Sequence, residues 1–471
     1  MTDFDPIECS LGELADALRD RETTAQEIAE RVIANHDRLE GTLGAYKTWD
    51  ADRLRRQAAA ADAAFDAGVD LGPLQGLPVS IKDLYGVSGY PTFAGTPRQL
   101  PVKWEMEGEV VAAVRHNLAV VTGKTHTVEF AFGGVGTNAH WGAPRNPWDR
   151  ETHRVPGGSS SGAGVSLHEG TAVLALGSDT AGSVRIPASL TGSVGIKTSV
   201  GRWDTSGIVP LSPTFDTAGI LTRTVADAAI AFAAIDPFIE EPADVAAAQL
   251  MAQSPGDLRA GVCDWFFEDC SPGIVEGVQA AIAELERGGL KVERMELPEL
   301  LEAQEIFSAG GLAGPEFAAF ICSELEPWQQ TLDPRVAARF EAARSLTAID
   351  YLTRRNRLEE LARSAAERLA AIDVLLTPTI AITPPPATEV EDATAYARHN
   401  MAILRNTFPG NLLRLCGLTM PVALDDAGMP VGLQVLAPLW EDERVLAAGL
   451  AFERLLGTAR QRIGVAPCCR T

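Results

Sequence analysis

Basic charge, patterned cysteines and long apolar runs are all scarce in this chain of 471 residues, and each scarcity removes a class of function. Only 40 Lys and Arg stand against 63 Asp and Glu, giving a net charge of −23. No local basic run offsets it, so the chain would repel phosphate backbones and anionic lipid rather than bind them. The seven cysteines are irregularly spaced and include no C-x-x-C pair. That excludes a zinc ribbon or a disulfide framework and points to free thiols in a reducing, cytoplasmic setting. No uninterrupted apolar run approaches ~18 residues, so no membrane span is expected. Residues 1–8 carry three acidic side chains and no apolar core, which does not read as a signal peptide. No H-E-x-x-H or similar spacing occurs, and neither a metal nor a cofactor is expected.

What is present suits a large globular protein: 46% of the residues are hydrophobic, and the length is ample for a sizeable core. Residues 10–67 read as helices. Ser10 with Glu13 and Thr24 with Glu27 have capping-box spacing, and Ile28, Ala29, Val32 and Ile33 fall on one helical face. From 72 to about 227 the chain turns rich in Gly, Ser and Thr, with short strand-like bursts at 77–81 and 119–122. This alternation implies an α/β arrangement around a largely buried sheet. Residues 228–372 are mostly helical, with Pro272 to Arg287 and Pro334 to Ala370 as long helical stretches. The end supplies a short strand at 374–377, two closing strands at 411–424 and 431–436, and a helix at 441–456. The expected organisation is one domain of four parts: 1–70, N-terminal helices; 71–227, a core; 228–372, a helical insertion on the substrate side; and 373–471, closing strands and a C-terminal helix.

Two loops carry the chemistry. One is Gly157-Gly158-Ser159-Ser160-Ser161-Gly162-Ala163-Gly164, the other Gly177-Ser178-Asp179-Thr180-Ala181-Gly182-Ser183-Val184-Arg185. Read on composition alone, both are flexible turns. Neither matches a phosphate-binding pattern. Gly158-x-Ser160-x-Gly162 fits a nucleophile elbow, which would need an acid and then a histidine downstream; only His168 and His399 follow Ser160.

Taken together with Gly76-Leu-Pro-Val-Ser-Ile-Lys82-Asp83, Gly123-Lys-Thr125, Arg145-Asn-Pro-Trp-Asp149, Ser212-Pro-Thr-Phe-Asp216 and Gly432-Leu-Gln-Val435, the two loops resemble the amidase signature family. Order and spacing agree over 70–230 and again over 410–456. The resemblance implies an α/β fold, a single large domain with a mixed sheet covered by helices on both faces. It implies an amidase that hydrolyses the C–N bond of a small-molecule amide through an acyl-enzyme. Carried over residue by residue, it makes Ser183 the nucleophile, Ser159 the bridging serine and Lys82 the base, with a cis peptide bond between Gly158 and Ser159. The backbone N–H groups of Thr180, Ala181, Gly182 and Ser183 would form the oxyanion hole, and Asp179 and Arg185 would pair to shape the loop. Ala181 stands where the family usually has glycine.

Physical chemistry adds a condition. A lysine base works only when neutral, so the ammonium must lose its proton roughly 2–3 pH units below its usual ~10.4. The net charge opposes this, but it is screened beyond about 8–10 Å, and burial can shift a lysine by ~3–5 units. Lys82 ends an apolar burst, which suits a buried strand end. Its neighbour Asp83 would point to the opposite face and need not hold it charged. His126, Glu129, Phe408 and Asn411 are candidate substrate-binding residues, and Met401 another wall position. His140 and His153 read as structural, and Trp141, Trp148 and Trp203 as packing residues.

The leading function is a stand-alone amidase acting on a small molecule, without nucleic-acid or membrane partners; a homodimer is an allowed assembly. The competing enzyme is the glutaminase component of a transfer-RNA-dependent amidotransferase, which shares the family core; the acidic charge disfavours it. A binding protein that kept the fold but lost its chemistry would lack one of the three residues, and all three are present.

Overall fold

The computed structural model describes residues 4–470; residues 1–3 and 471, which include part of the acidic N-terminal stretch, lie outside it. The chain opens with α1 (Leu11–Arg19) and α2 (Ala25–Leu43), each started by the capping box expected from the sequence. β1 (Tyr46–Trp49) follows, then α3 (Ala51–Asp66). The stretch 10–67 is therefore not helical throughout. Gly44 ends α2 in the left-handed conformation and Asp50 caps α3, and the four residues of β1 between them pair as an edge strand.

The Gly-rich region builds β2 (Pro78–Lys82), α4 (Glu109–His116), β3 (Val120–Thr125), α5 (Ala163–Glu169), β4 (Leu174–Asp179), α6 (Arg185–Thr191), β5 (Val194–Lys197) and β6 (Thr217–Thr222). Next come α7 (Val225–Ile235), α8 (Ala243–Leu250), β7 (Arg259–Val262), α9 (Ile274–Arg287), β8 (Lys291–Arg294), α10 (Glu299–Ser308), α11 (Ala313–Glu324), α12 (Pro334–Arg344) and α13 (Ala348–Leu369). The mostly helical 228–372 segment thus also sends two strands to the sheet. The remainder is β9 (Val374–Pro378), α14 (Ala393–Leu404), α15 (Phe408–Leu412), β10 (Cys416–Leu424), β11 (Pro430–Ala437), α16 (Asp442–Leu456) and α17 (Ala459–Ile463). Here 411–415 is not strand: Asn411 belongs to α15, where Pro409 lacks the N–H a ladder would need.

Among the described residues, eleven strands form one sheet in the order β1-β3-β2-β4-β6-β5-β10-β11-β9-β7-β8. β3, β2 and β4 run parallel, as do β9, β7 and β8, and the pairs between these groups are antiparallel. The sheet is mixed. Every residue of β2, β3, β4, β5, β6, β9 and β11 is buried, so helices must cover both faces. α6, α9 and α16 pack on the central strands β10 and β11. The stretch Glu299–Glu324 is apolar and long enough to cross a bilayer by composition. It is broken into α10 and α11 at Gly310 and Gly311, and its Leu300, Ala303, Phe317 and Ile321 are buried in the protein.

The parallel arrangement of β2 and β4 positions the site. The two neighbouring strands end side by side, delivering Lys82 from one and the loop after Asp179 from the other.

Candidate active site

Lys82 is the last residue of β2 and is fully buried. Its Nζ donates to Ser159 Oγ at 2.7 Å and to Ser178 Oγ at 2.9 Å. Burial pulls its proton affinity down to about 7, against the opposing fields of Asp179 and Asp216. The neutral lysine demanded by the sequence argument therefore has its physical cause in desolvation. Asp83 points away, as the strand period requires, and pairs with Lys124 at 3.1 Å.

Ser159 follows a cis peptide bond from Gly158. Its loop is tied to the segment after β3 by Val128 N–H to Ser159 O (3.1 Å) and Gly162 N–H to His126 O (3.0 Å). Ser160 N–H donates to Ser183 O at 3.3 Å, which sets the two Gly/Ser loops against each other. Ser160 itself is fully buried, with its hydroxyl 3.4 Å from Ser178 O. It does not line the cavity, which removes the elbow reading.

Ser183 lines a cavity of about 470 Å³. Its hydroxyl has no hydrogen-bond partner among the described residues, so no Ser159–Ser183 hydrogen bond is made in this structure. Such contacts are often loose without substrate. The loop preceding Ser183 is held by Asp179. That carboxylate accepts from Gly182 N–H (2.8 Å), Val184 N–H (3.1 Å), Asn411 Nδ2 (2.9 Å) and both Nε and Nη2 of Arg185. Burial alone would raise its proton affinity, yet the Arg185 guanidinium holds it well below the usual carboxylate range. Arg185 also reaches Gln434 and Asn411. The expected Asp179–Arg185 pair is thus the hub of a buried network.

Of the four N–H groups expected to form an oxyanion hole, that of Gly182 is given to Asp179, while those of Thr180, Ala181 and Ser183 are not committed to other described residues. Gly182 has φ of 134°, and a Cβ there would lie 2.1 Å from Thr407 Oγ1. Ala181 is not among the positive-φ residues, so a methyl is tolerated where the family has glycine. Its carbonyl accepts from the Thr407 hydroxyl at 2.8 Å.

The four substrate-binding candidates fall elsewhere. Asn411 belongs to the Asp179–Arg185 network. Phe408 is buried behind the wall and stacks on Phe307, which does line the cavity. Glu129 bonds to His140 Nε2 (3.0 Å) and accepts from Asp333 N–H (2.6 Å); burial pushes its carboxyl up to about 8. His126 is held neutral by burial, down to about 4, and is not on the cavity wall. Met401 does line the cavity. His140 serves Glu129, Trp148 and Trp203 are buried, and Trp141 sits under Lys47 Nζ at 3.2 Å.

Two residues were missed by sequence reasoning. Ser178 holds Lys82 from the strand before the loop, and nothing in its type or spacing marks it. Arg339, on α12, is the one charged side chain on the cavity wall among the described residues. Its Nη1 donates to Phe132 O at 2.5 Å and its guanidinium lies over the Phe132 ring. Among the described residues no carboxylate pairs with it. An arginine in an otherwise charged, alanine-rich helix gives no sequence signal.

A family model described as Amidase matches residues 27–446. The 2-amino-5-chloromuconic acid deaminase of Comamonas testosteroni is 49% identical over 456 residues, covering 97% of this chain and 98% of that protein. An amidase of Pseudomonas putida is 33% identical over 459 residues, covering 94% and 95%. A crystal structure of an amidase superposes with a TM-score of 0.84 at 30% identity, over 95% of this chain and 100% of that one.

Proposed function

The chain belongs to the amidase family, and we propose that it hydrolyses the C–N bond of a small amide through an acyl-enzyme on Ser183, with Lys82 as base and Ser159 between them. The observation that carries this reading is the 2.7 Å hydrogen bond from a buried lysine to Ser159, beside the loop that presents Ser183 to the cavity.

Ser183 Oγ attacks the amide carbon. Its proton passes to Ser159 Oγ as Ser159 gives its own to Lys82 Nζ. Negative charge builds on the carbonyl oxygen, and the N–H groups of Thr180, Ala181 and Ser183 receive it. Removing one such donor typically costs ~10²–10³ in rate. The C–N bond then breaks. The proton returns from Lys82 through Ser159 to the departing nitrogen, and ammonia or an amine leaves. Water attacks the ester, giving a proton to the same relay, and Ser183 is restored as the carboxylate departs.

Arg339 supports a narrower substrate class. A guanidinium that no carboxylate among the described residues neutralises favours a ligand bearing a carboxylate, since guanidinium pairs with carboxylates through two parallel hydrogen bonds. The Comamonas relative acts, by its name, on an amino-substituted muconic acid, a short unsaturated dicarboxylic acid. We take a small amide that also carries a carboxylate as the substrate class here.

The purified chain alone, given a panel of acidic and neutral amides, should release ammonia or amine. Ser183→Ala should abolish turnover, and Lys82→Ala nearly so. Near wild-type rates in Lys82→Ala at about pH 8 would sink the base assignment. Glutaminase activity that appears only with added partner proteins would favour the amidotransferase reading. Arg339→Ala should raise KM for acidic substrates about tenfold or more and leave neutral ones unchanged.

A further inference from the structure

Three of the buried polar atoms left without a hydrogen-bond partner meet at one place, and none of their residues lines the catalytic cavity. They are His36 Nδ1, Glu40 Oε2 and Glu169 Oε1. His36 and Glu40 lie one turn apart on α2, and Glu169 is the last residue of α5. His36 Nδ1 is 3.3 Å from Glu169 Oε1 and 3.7 Å from Glu40 Oε2, and all three atoms lie within 4.8 Å of one another. Glu169 is fully buried and His36 is 8% exposed. Among the described residues no lysine or arginine forms an ion pair with either glutamate. Two carboxylates facing a single imidazole at low dielectric need a cation or a shared proton.

We propose that His36, Glu40 and Glu169 bind one divalent transition-metal ion, zinc by preference, with water completing a tetrahedral shell. A tetrahedral zinc with ligands about 2.0–2.2 Å away keeps its ligand atoms roughly 3.3–3.6 Å apart. The separations of His36 Nδ1 from the two carboxylates, 3.3 and 3.7 Å, bracket that spacing. One imidazole nitrogen with two carboxylate oxygens suits zinc, whereas calcium takes about 6–8 oxygen ligands and magnesium an all-oxygen octahedron. The supports around a metal site are also present. Thr171 Oγ1 donates to Glu169 Oε2 at 3.1 Å, leaving Oε1 free to ligate. The His36 ring is held by stacking on Trp49 at 3.8 Å and by an edge contact with Tyr46. Such orientation of ligands by outer groups is a regular feature of metal sites. The ion would pin α2 to the end of α5, the helix that begins directly after the Ser159–Gly162 loop, and would take no part in the chemistry.

The test uses the full chain stripped with a chelator and titrated with zinc by calorimetry, with thermal unfolding followed in parallel. Wild type should bind one equivalent and gain in Tm. Glu40→Gln, altered at the half-exposed edge of the cluster, should lose about tenfold or more in affinity and the gain in Tm. His36→Gln should lose both as well. Cobalt(II) in place of zinc reads the ligands directly. The cluster gives d–d bands without a sulfur-to-cobalt charge-transfer band, and this readout stands even where a variant folds poorly. Binding that persists in both variants, or that carries the sulfur band, assigns the metal to other ligands and overturns the proposal. No binding in wild type overturns it too, leaving a histidine that shares a proton with two carboxylates.

Discussion

Lys82 carries a heavy electrostatic demand. Bringing its ammonium group from water to a site where it releases its proton near pH 7 costs the charged form on the order of 5 kcal/mol. The global charge of −23 opposes that shift yet loses, because distant charges are screened while desolvation acts at contact. As the proposed base, Lys82 acts when neutral, so kcat/KM should fall about tenfold per pH unit below a limb near 7 and level off above it. Asp216 tests the origin of that limb. Its negative charge favours the ammonium form, so Asp216→Asn should move the limb to lower pH. A pH profile of kcat/KM unchanged in position would show that the charge is not felt. Asp216 also accepts from the Thr180 hydroxyl (2.5 Å) and from the Leu211 and Ser212 N–H groups, so kcat should fall alongside. The lysine was legible as a residue at the end of an apolar burst; Ser178, its second hydroxyl partner, was not.

Between β4 and α6, one carboxylate and one guanidinium fix the whole loop. Arg185→Lys keeps the charge but loses the fork that engages Asp179, Gln434 and Asn411 together. Breaking a buried pair of this kind costs about 3–5 kcal/mol, so denaturant midpoints should drop and kcat should fall as the proposed donors at 180, 181 and 183 relax. Gly182→Ala is expected to be harsher on turnover. It places a methyl against the Thr407 hydroxyl at a φ that side chains rarely adopt. We expect a loss of ~10² or more in kcat, comparable to losing an oxyanion donor. The element reading from sequence succeeded where caps and periodicity agree, as in α2 and α16. It failed at β1, four residues squeezed between two helix signals, and at 411–415, where Pro409 and Gly410 interrupt an apolar run that otherwise reads as strand.

For the molecule as a whole, acidity is the dominant long-range feature. Self-repulsion at a net charge of −23 destabilises the compact state, and salt relieves it. Raising ionic strength from ~0.01 M to ~0.15 M shortens the screening length from about 30 Å to about 8 Å. Tm measured at pH 8 should therefore rise across that range; a flat or falling Tm would place the excess charge in local pairs instead. The single mixed sheet explains how distant segments serve one site. Two parallel strands end together, and the closing strands return Gln434 beneath Arg185.

The sequence by itself carried the ordered motifs by which the chain resembles its family, and that resemblance implied the three residues proposed for catalysis, because each lies within a matching motif. It also implied the cis bond before Ser159 and the Asp179–Arg185 pair. The tertiary structure alone decided which side chains wall the cavity. Arg339 and Phe307 arrive there from helices whose own patterns announce only amphipathic surface, while His126, Glu129, Phe408 and Asn411 turn to other partners. It alone placed Glu169 beside His36 and Glu40, whose one-turn spacing on α2 forms no recognisable metal pattern without it. Contacts between segments far apart in the chain leave no local period to read, since they are set by how the sheet brings its flanking helices together.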